Sequence, residues 1–199
     1  MSIALLAGLF GFALAATITP GPNNLMLLAS GANFGYRRTL PHMFGILSGV
    51  TVMVLLVGAG LMALFEAAPG LTMALKVLSI LYLLWLAVRI ATAVPSERTA
   101  ACRGPMSFLQ AATFQWVNPK AWAMCLSAIT LYAPDRTLSS VVIVACAFAL
   151  VSFPANSVWT WLGTAVRHWL SDRRRIRRFN ITMALLLVAS IVPVLGFGG

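Results

Sequence analysis

Two short runs hold the residues best able to do chemistry: Thr19-Pro20-Gly21-Pro22-Asn23-Asn24 and Gln115-Trp116-Val117-Asn118-Pro119-Lys120. Each interrupts an apolar stretch near its middle. Pro20 has no N–H for the carbonyl of Ala16, Pro22 has none for Ile18, and Pro119 has none for Gln115. Gly21 and Asn118 each precede a proline and are pushed out of the helical region. Helices must therefore restart just beyond, with Asn118 as an N-cap, Pro119 at the first helical position, and Thr19 or Gly21 capping the first run. A restarted helix presents free amides and about half a positive charge, an arrangement that attracts anions. Lys120 adds a whole charge. The chemistry that fits is recognition of a zwitterion. The α-carboxylate of an amino acid would dock between the two restart points. Its ammonium would be accepted by the freed carbonyls of Ala16, Ile18 and Gln115 and by the side-chain amides of Asn23, Asn24 and Gln115.

Plainer readings of the same residues exist. Pro-Gly-Pro also serves as a packing kink, and a lysine can snorkel to an interface. Lys120 lies about thirteen residues into its apolar segment, roughly 20 Å along a helix, which favours an interior position; charges held inside a membrane are usually functional. Gly45 and Gly49 make a small-xxx-small face suited to close helix packing, and Ser48 and Thr51 are within reach of a cavity. Pro154 and Asn156 read as a further polar break, with Asn156 lining the path. Trp116 and Trp122 flank the second run and would wall the site, pack, or face headgroups.

The elements that carry these runs follow from hydropathy. The chain has 199 residues, 60% hydrophobic and only 9% charged, with mean hydropathy +0.92. A soluble domain carries roughly 25% charged residues, so lipid is the natural solvent for this surface. Six apolar segments are expected to be transmembrane helices: Ile3 to about Ala32, Met43–Phe65, Leu71–Ala93, Ser107–Tyr132, Leu138–Val166 and Phe179–Phe197. Each reaches the length of about 20 residues that spans a bilayer. The first and fifth are long enough to require a tilt, kink or interruption. Pro41, Pro69, Pro105 and Pro134 read as boundaries. Ala13-Leu14-Ala15 resembles a signal-peptidase site, but without a positive n-region the N-terminus reads as the first membrane helix.

Basic residues set the orientation. Arg37 and Arg38 follow the first segment. Arg89, Arg98 and Arg103 surround the third connection, and Arg167, Arg173, Arg174, Arg175, Arg177 and Arg178 the fifth, whereas the alternate connections hold only Arg136, with Lys76 nearby. The positive-inside rule places both termini outside and the arginine loops in the cytoplasm. The run Arg173–Arg178 could also meet anionic lipid headgroups; fixing topology is the simpler role. The two broken helices open the two halves of the chain. Because three segments is an odd number, the second half enters the membrane from the opposite side. The expected fold is all-α: six transmembrane helices as two inverted three-helix repeats, 1–93 and 107–199 around a cytoplasmic loop 94–106, with helices 1 and 4 interrupted. Interrupted helices at matching places in such repeats point to the binding site.

At the two motifs, Thr19-Pro20-Gly21-Pro22-Asn23-Asn24 and Asn118-Pro119-Lys120, the chain resembles the LysE/RhtB amino-acid exporter family over essentially its whole length, and is similar to its cysteine/O-acetylserine and homoserine/threonine exporter branches. The resemblance implies an efflux protein of the bacterial inner membrane, driven by the proton gradient in antiport. One departure stands out. The family often carries an acid in the membrane region, whereas the four acids here are Glu66, Glu97, Asp135 and Asp172, all at helix ends or in loops. A cationic substrate side chain would lack a compensating carboxylate, which is costly in low dielectric, so a small neutral or polar amino acid is expected. Glu66 or Asp135 would have to reach inward to carry the proton.

Other functions fit less well. The net charge of +10 and pI of 11.1 suggest nucleic acid, but the basic residues form short clusters between apolar segments. The three cysteines, Cys102, Cys125 and Cys146, form no C-x-x-C and read as packing residues. A permease for another small solute or a metal ion is the nearest alternative; a cation site would need convergent carboxylates. An intramembrane enzyme would need a nucleophile–base pair, and His42 and His168 sit at helix ends without one. Neither lysine lies in a phosphate-binding G-x-x-x-x-G-K-[ST] loop. A purely structural membrane protein would need no pair of helix breaks with an embedded lysine. No cofactor is expected; the partners are the amino acid and membrane lipid, and a homodimer is compatible with the reading.

Overall fold

The computed structural model describes residues 1–61, 63, 67–92, 104–167, 169–170 and 172–192. Glu66, Glu97, Arg98, Cys102, Arg103, His168, the ends expected for the second, third and sixth segments and most of the 94–106 connection lie outside them. All secondary-structure elements among the described residues are helical. In order they form α1 (Ile3–Ile18), α2 (Pro22–Phe34), α3 (Tyr36–Gly58), α4 (Pro69–Ala91), α5 (Phe108–Phe114), a 3-10 turn (Gln115–Val117), α6 (Pro119–Tyr132), α7 (Leu138–Arg167) and α8 (Arg173–Ala189).

Local chemistry sets most of the ends. The Ser2 side chain caps α1 by accepting from the Leu5 amide, and α1 stops at the first proline. Pro22, Pro69 and Pro119 open α2, α4 and α6 at the position where a missing N–H costs no helical bond. Gly35, at φ +83°, ends α2 in a backbone conformation that glycine adopts without penalty, and α3 begins at once. Ser107 and Gln110 form a reciprocal capping box on α5.

Three boundaries differ from the sequence reading. The second helix begins at Tyr36, so Pro41 lies inside it; the proline leaves the Arg37 carbonyl unserved near the helix end without stopping the helix. The last helix begins at Arg173 and includes the arginines, because charge lowers hydropathy without preventing helix formation. Pro154 and Asn156 do not break the fifth segment: α7 runs unbroken for 30 residues, and a single proline is tolerated where neighbouring helices hold the turn.

Three helices are long and apolar enough to cross a bilayer, Tyr36–Gly58, Met73–Ala91 and Leu138–Arg167; α1 and α2, bent by 57° at their break, form a fourth candidate. The packing interlocks the two halves. α1 and α2 lie against α7, while α5 and α6 lie against α3, and α4 pairs with α8. One core joins α1, α3, α6 and α7 through Leu9, Met43, Met53, Cys125 and Phe148. A second joins α2, α4 and α8 through Met26, Leu83, Leu86 and Leu187.

Glycines permit the tightest crossings, as the small-residue rule for membrane helices requires. A Cβ on Gly31 of α2 would meet the Thr160 carbonyl of α7, and one on Gly163 of α7 would meet the Leu28 carbonyl of α2. Gly45 and Gly49 rest in the same way on the Phe108 and Ala112 carbonyls of α5, which is the packing role expected of that pair. Polar pairs join other helix contacts, in turn α2 to α3, α3 to α7 and α2 to α8. Ser30 and Thr39 hydroxyls lie 2.8 Å apart, Tyr36 meets Ser157 at 2.8 Å, and the amides of Asn33 and Asn180 bond reciprocally at 3.0 and 3.4 Å.

Candidate functional site

The two broken helices meet. Asn23 Nδ2 donates to Gln115 Oε1 at 2.9 Å, and Gln115 Nε2 donates back to Asn23 Oδ1 at 3.1 Å. Gln115 Nε2 also reaches the Ala111 carbonyl at 2.9 Å, which fixes the orientation of its amide. Both residues are thus positioned by a break: Asn23 in the first turn of α2, Gln115 in the 3-10 turn before α6. The ammonium of Lys120 crosses to the first break and donates to the carbonyl of Thr19. Its stem passes over Gly21, where a Cβ would come within 2.7 Å of Lys120 Cδ and the stem would have to shift.

The ends of three helices converge here with opposite polarity. Asn118 caps α6 by accepting from the Lys120 amide at 3.2 Å, with Pro119 at the first helical position. Gly21 caps α2 with no side-chain bond, so the first-turn amides of Asn23 and Asn24 retain their positive character. The C-terminal end of α1 supplies the negative side. Asn24 Nδ2 donates to the carbonyls of Thr17 (2.8 Å) and Thr19 (2.7 Å), and Trp159 Nε1 of α7 donates to that of Ile18 (3.0 Å). A carbonyl ledge that attracts cations thus faces two amide ends that attract anions. That polarity complements a zwitterion.

Between them lies a cavity of about 20 Å³, room for about one water molecule. Ala16 and Thr17 line it from α1, Gly21, Asn23 and Asn24 from the first break, and Asn118, Lys120 and Met124 from the second. The two long helices each contribute a pair four residues apart: Ile46 and Val50 from α3, Ser152 and Asn156 from α7. Asn156 Nδ2 is buried there without a hydrogen-bond partner, an unmet donor of the kind a ligand would satisfy.

Every expected site residue belongs to this neighbourhood, with different contributions. Gly21, Asn23, Asn24, Asn118, Lys120 and Asn156 line the cavity, while Thr19, Pro20, Pro22, Gln115 and Pro119 belong to the two breaks without lining it. Two expected acceptors are corrected. The Ile18 carbonyl is taken by Trp159 and the Gln115 carbonyl by the Asn118 amide at 3.2 Å. The Thr17 and Thr19 carbonyls are occupied as well, both by Asn24 Nδ2 and Thr19 also by Lys120. Ser48 and Thr51 do not line the cavity, and the Thr51 hydroxyl turns back to the Leu47 carbonyl. Trp116 and Trp122 also stand outside the lining; they pack edge to face at 5.9 Å, with Trp122 Nε1 donating to the Trp116 carbonyl. Thr17, Ser152 and Trp159 were missed, although a tryptophan amid an apolar span does signal an N–H that needs a partner.

Asp135 does not reach inward. It is exposed in the α6–α7 turn and accepts from Ser140 at 2.7 Å and Thr137 at 3.0 Å. The Ser140 bond, then the Thr137 bond, hold its carboxyl below the usual carboxylate range. A depressed folded-state value adds stability that is complete above that usual range and disappears as pH falls through the depressed value. Asp135→Asn is therefore expected to leave transport and its pH profile unchanged. Its thermal unfolding in detergent should lie slightly below the parent's at neutral pH, and the difference should close in acid. A changed transport profile would return Asp135 to the mechanism.

Comparison with known proteins gives the family of the chain. The chain is 29% identical over 196 residues to the cysteine/O-acetylserine efflux proteins of Escherichia coli (strain K12) and Shigella sonnei (strain Ss046), covering 98% of this chain and 99% of each relative. No solved structure matches. The family model described as LysE type translocator matches residues 14–196. The chain belongs to the LysE type translocator family, and is accordingly a membrane transport protein and not an enzyme.

Proposed function

We propose that this protein exports a small neutral or polar amino acid by alternating access, with proton entry as the driving reaction. The observation that carries the reading is the meeting of two helix breaks around one cavity, with Lys120 of the second break bonded to Thr19 of the first. The substrate carboxylate would pair with Lys120 and the amide ends at Asn23, Asn24 and Asn118. Its ammonium would displace Asn24 Nδ2 and Lys120 from the Thr17 and Thr19 carbonyls, and Asn156 Nδ2 would donate to a polar side chain. Thr19, Pro20, Gly21, Pro22, Gln115 and Pro119 hold the breaks open. No acid among the described residues lines the cavity, so a cationic side chain would enter low dielectric uncompensated. The relatives' cargo, cysteine and O-acetylserine, is of the small uncharged class this favours.

The same reading makes the chain six spans of the bacterial inner membrane, built as inverted repeats 1–93 and 107–199, with both termini outside. The reciprocal packing supports it: α1 and α2 lie on α7 as α5 and α6 lie on α3. At about 20 Å³ the cavity is too small for an amino acid, so loading requires the halves to part, as alternating access demands. The test is efflux of labelled O-acetylserine, cysteine and a panel of other neutral amino acids from overexpressing cells, with and without a protonophore. Faster, protonophore-sensitive efflux is expected. Efflux equal to the empty vector for every amino acid would sink the reading, and efflux indifferent to the protonophore would remove the proton.

A further inference from the structure

The imidazole of His42 is 1% exposed, and neither Nδ1 nor Nε2 has a hydrogen-bond partner. A histidine retained for packing satisfies at least one nitrogen, because a buried, unmet polar atom is costly. His42 also has a telling place. On α3, His42, Gly45, Ile46 and Gly49 follow the i, i+3, i+4, i+7 spacing of one helix stripe. Gly45 and Gly49 of that stripe rest on Phe108, Ala111, Ala112 and Gln115 of the second broken helix, and Ile46 lines the cavity. His42 therefore sits one turn, about 6 Å along the axis, from the cavity wall, on the side of Arg37 and Arg38.

We propose that His42 is the protonation site through which the proton gradient drives this transporter; the inference rests on the proton-coupled reading above. The titratable and charged groups on α3 itself are Tyr36, Arg37, Arg38 and His42. On the elements packed against it they are Lys120, Cys125 and Tyr132 of α6 and Cys146 and Arg167 of α7, with none on α2, α5 or the 3-10 turn. No carboxyl is among them. The imidazole is the one group in that set whose ordinary charge change falls between about pH 5 and about pH 8. A lone pair on an unprotonated ring nitrogen accepts a proton from water on the outer side to give imidazolium, and the proton leaves to water on the cytoplasmic side. Antiport requires that the proton-loaded and amino-acid-loaded carriers be distinct species. Reciprocity then makes the amino acid expel the proton.

Two measurements test the assignment. In proteoliposomes at equal pH the parent exchanges labelled for unlabelled O-acetylserine, and under an imposed pH gradient it accumulates it. His42→Gln is expected to retain exchange and lose gradient-driven accumulation. Accumulation equal to the parent's would overturn the proposal, whereas a parent that exchanges but never responds to the gradient overturns the coupling reading itself. The second measurement needs no change at His42. The chain has two histidines, so imidazole ¹⁵N spectra of a His168→Gln protein report His42 alone. Its imidazolium fraction is expected to fall when O-acetylserine is added at fixed pH. A spectrum unchanged between about pH 5 and about pH 8, with and without the amino acid, would refute the role.

Discussion

Lys120→Ala is expected to slow amino-acid export by about tenfold or more while leaving the amount of protein in the membrane unchanged. A hydrogen bond to a charged group is worth about 1.5–3 kcal/mol, which corresponds to roughly 10- to 150-fold in binding or rate. In the structure the Lys120 ammonium already bonds across the two breaks, so the alanine variant loses both the proposed substrate partner and that link. Lys120→Arg is expected to fail as well, because a planar guanidinium does not replace a compact ammonium, and the stem is closely fitted over Gly21. Lys120→Met keeps the bulk and isolates the charge. Initial efflux rates, normalised to membrane protein by immunoblot, decide the matter; export by the alanine variant at the parent rate would remove Lys120 from the mechanism.

Gly163→Val is expected to give the largest loss of stability of any single change at a helix crossing. A Cβ at Gly163 would fall on the Leu28 carbonyl and within 2.9 Å of the Ala32 amide nitrogen, both backbone atoms that cannot step aside. Overpacking a fitted core costs about 1–3 kcal/mol, and here the strain falls on the contact between α2 and α7 that seats the first break. Gly11, with nothing within 4 Å of its hypothetical Cβ, supplies the control: Gly11→Ala should be silent. Thermal loss of the monodisperse peak in detergent size-exclusion chromatography measures both. A Gly163→Val protein as stable as the parent would mean that the two helices separate without cost.

How far the sequence foretold the site depended on how local each feature is. Pro20, Pro22 and Pro119 act on their own turns, so the breaks, the Asn118 cap and the proline at each restart could be read directly. The pairing of Gly45 with Gly49 was legible because four-residue spacing fixes a helix face. Long-range facts were not. The partner of the Ile18 carbonyl is Trp159, 141 residues away, and no local pattern marks it. The expected break at Pro154 failed because a proline's effect depends on what packs around it. Tyr36 and Arg173 were missed as helix starts because hydropathy measures preference for lipid, while the backbone continues its hydrogen bonding through the arginines beyond the apolar run. The open amide of Asn156 and the unmet nitrogens of His42 follow from packing alone.

The bond from Lys120 to Thr19 also bears on how the cycle closes. A carrier emptied of cargo must still move its site across the low-dielectric interior, where bare carbonyls are penalised. Under the proposed alternating access, the protein's own ammonium resting on that carbonyl would be a built-in occupant for the return stroke, with no second amino acid needed for the journey. Such a machine is suited to net removal of solute from the cell, not merely to swapping one molecule for another.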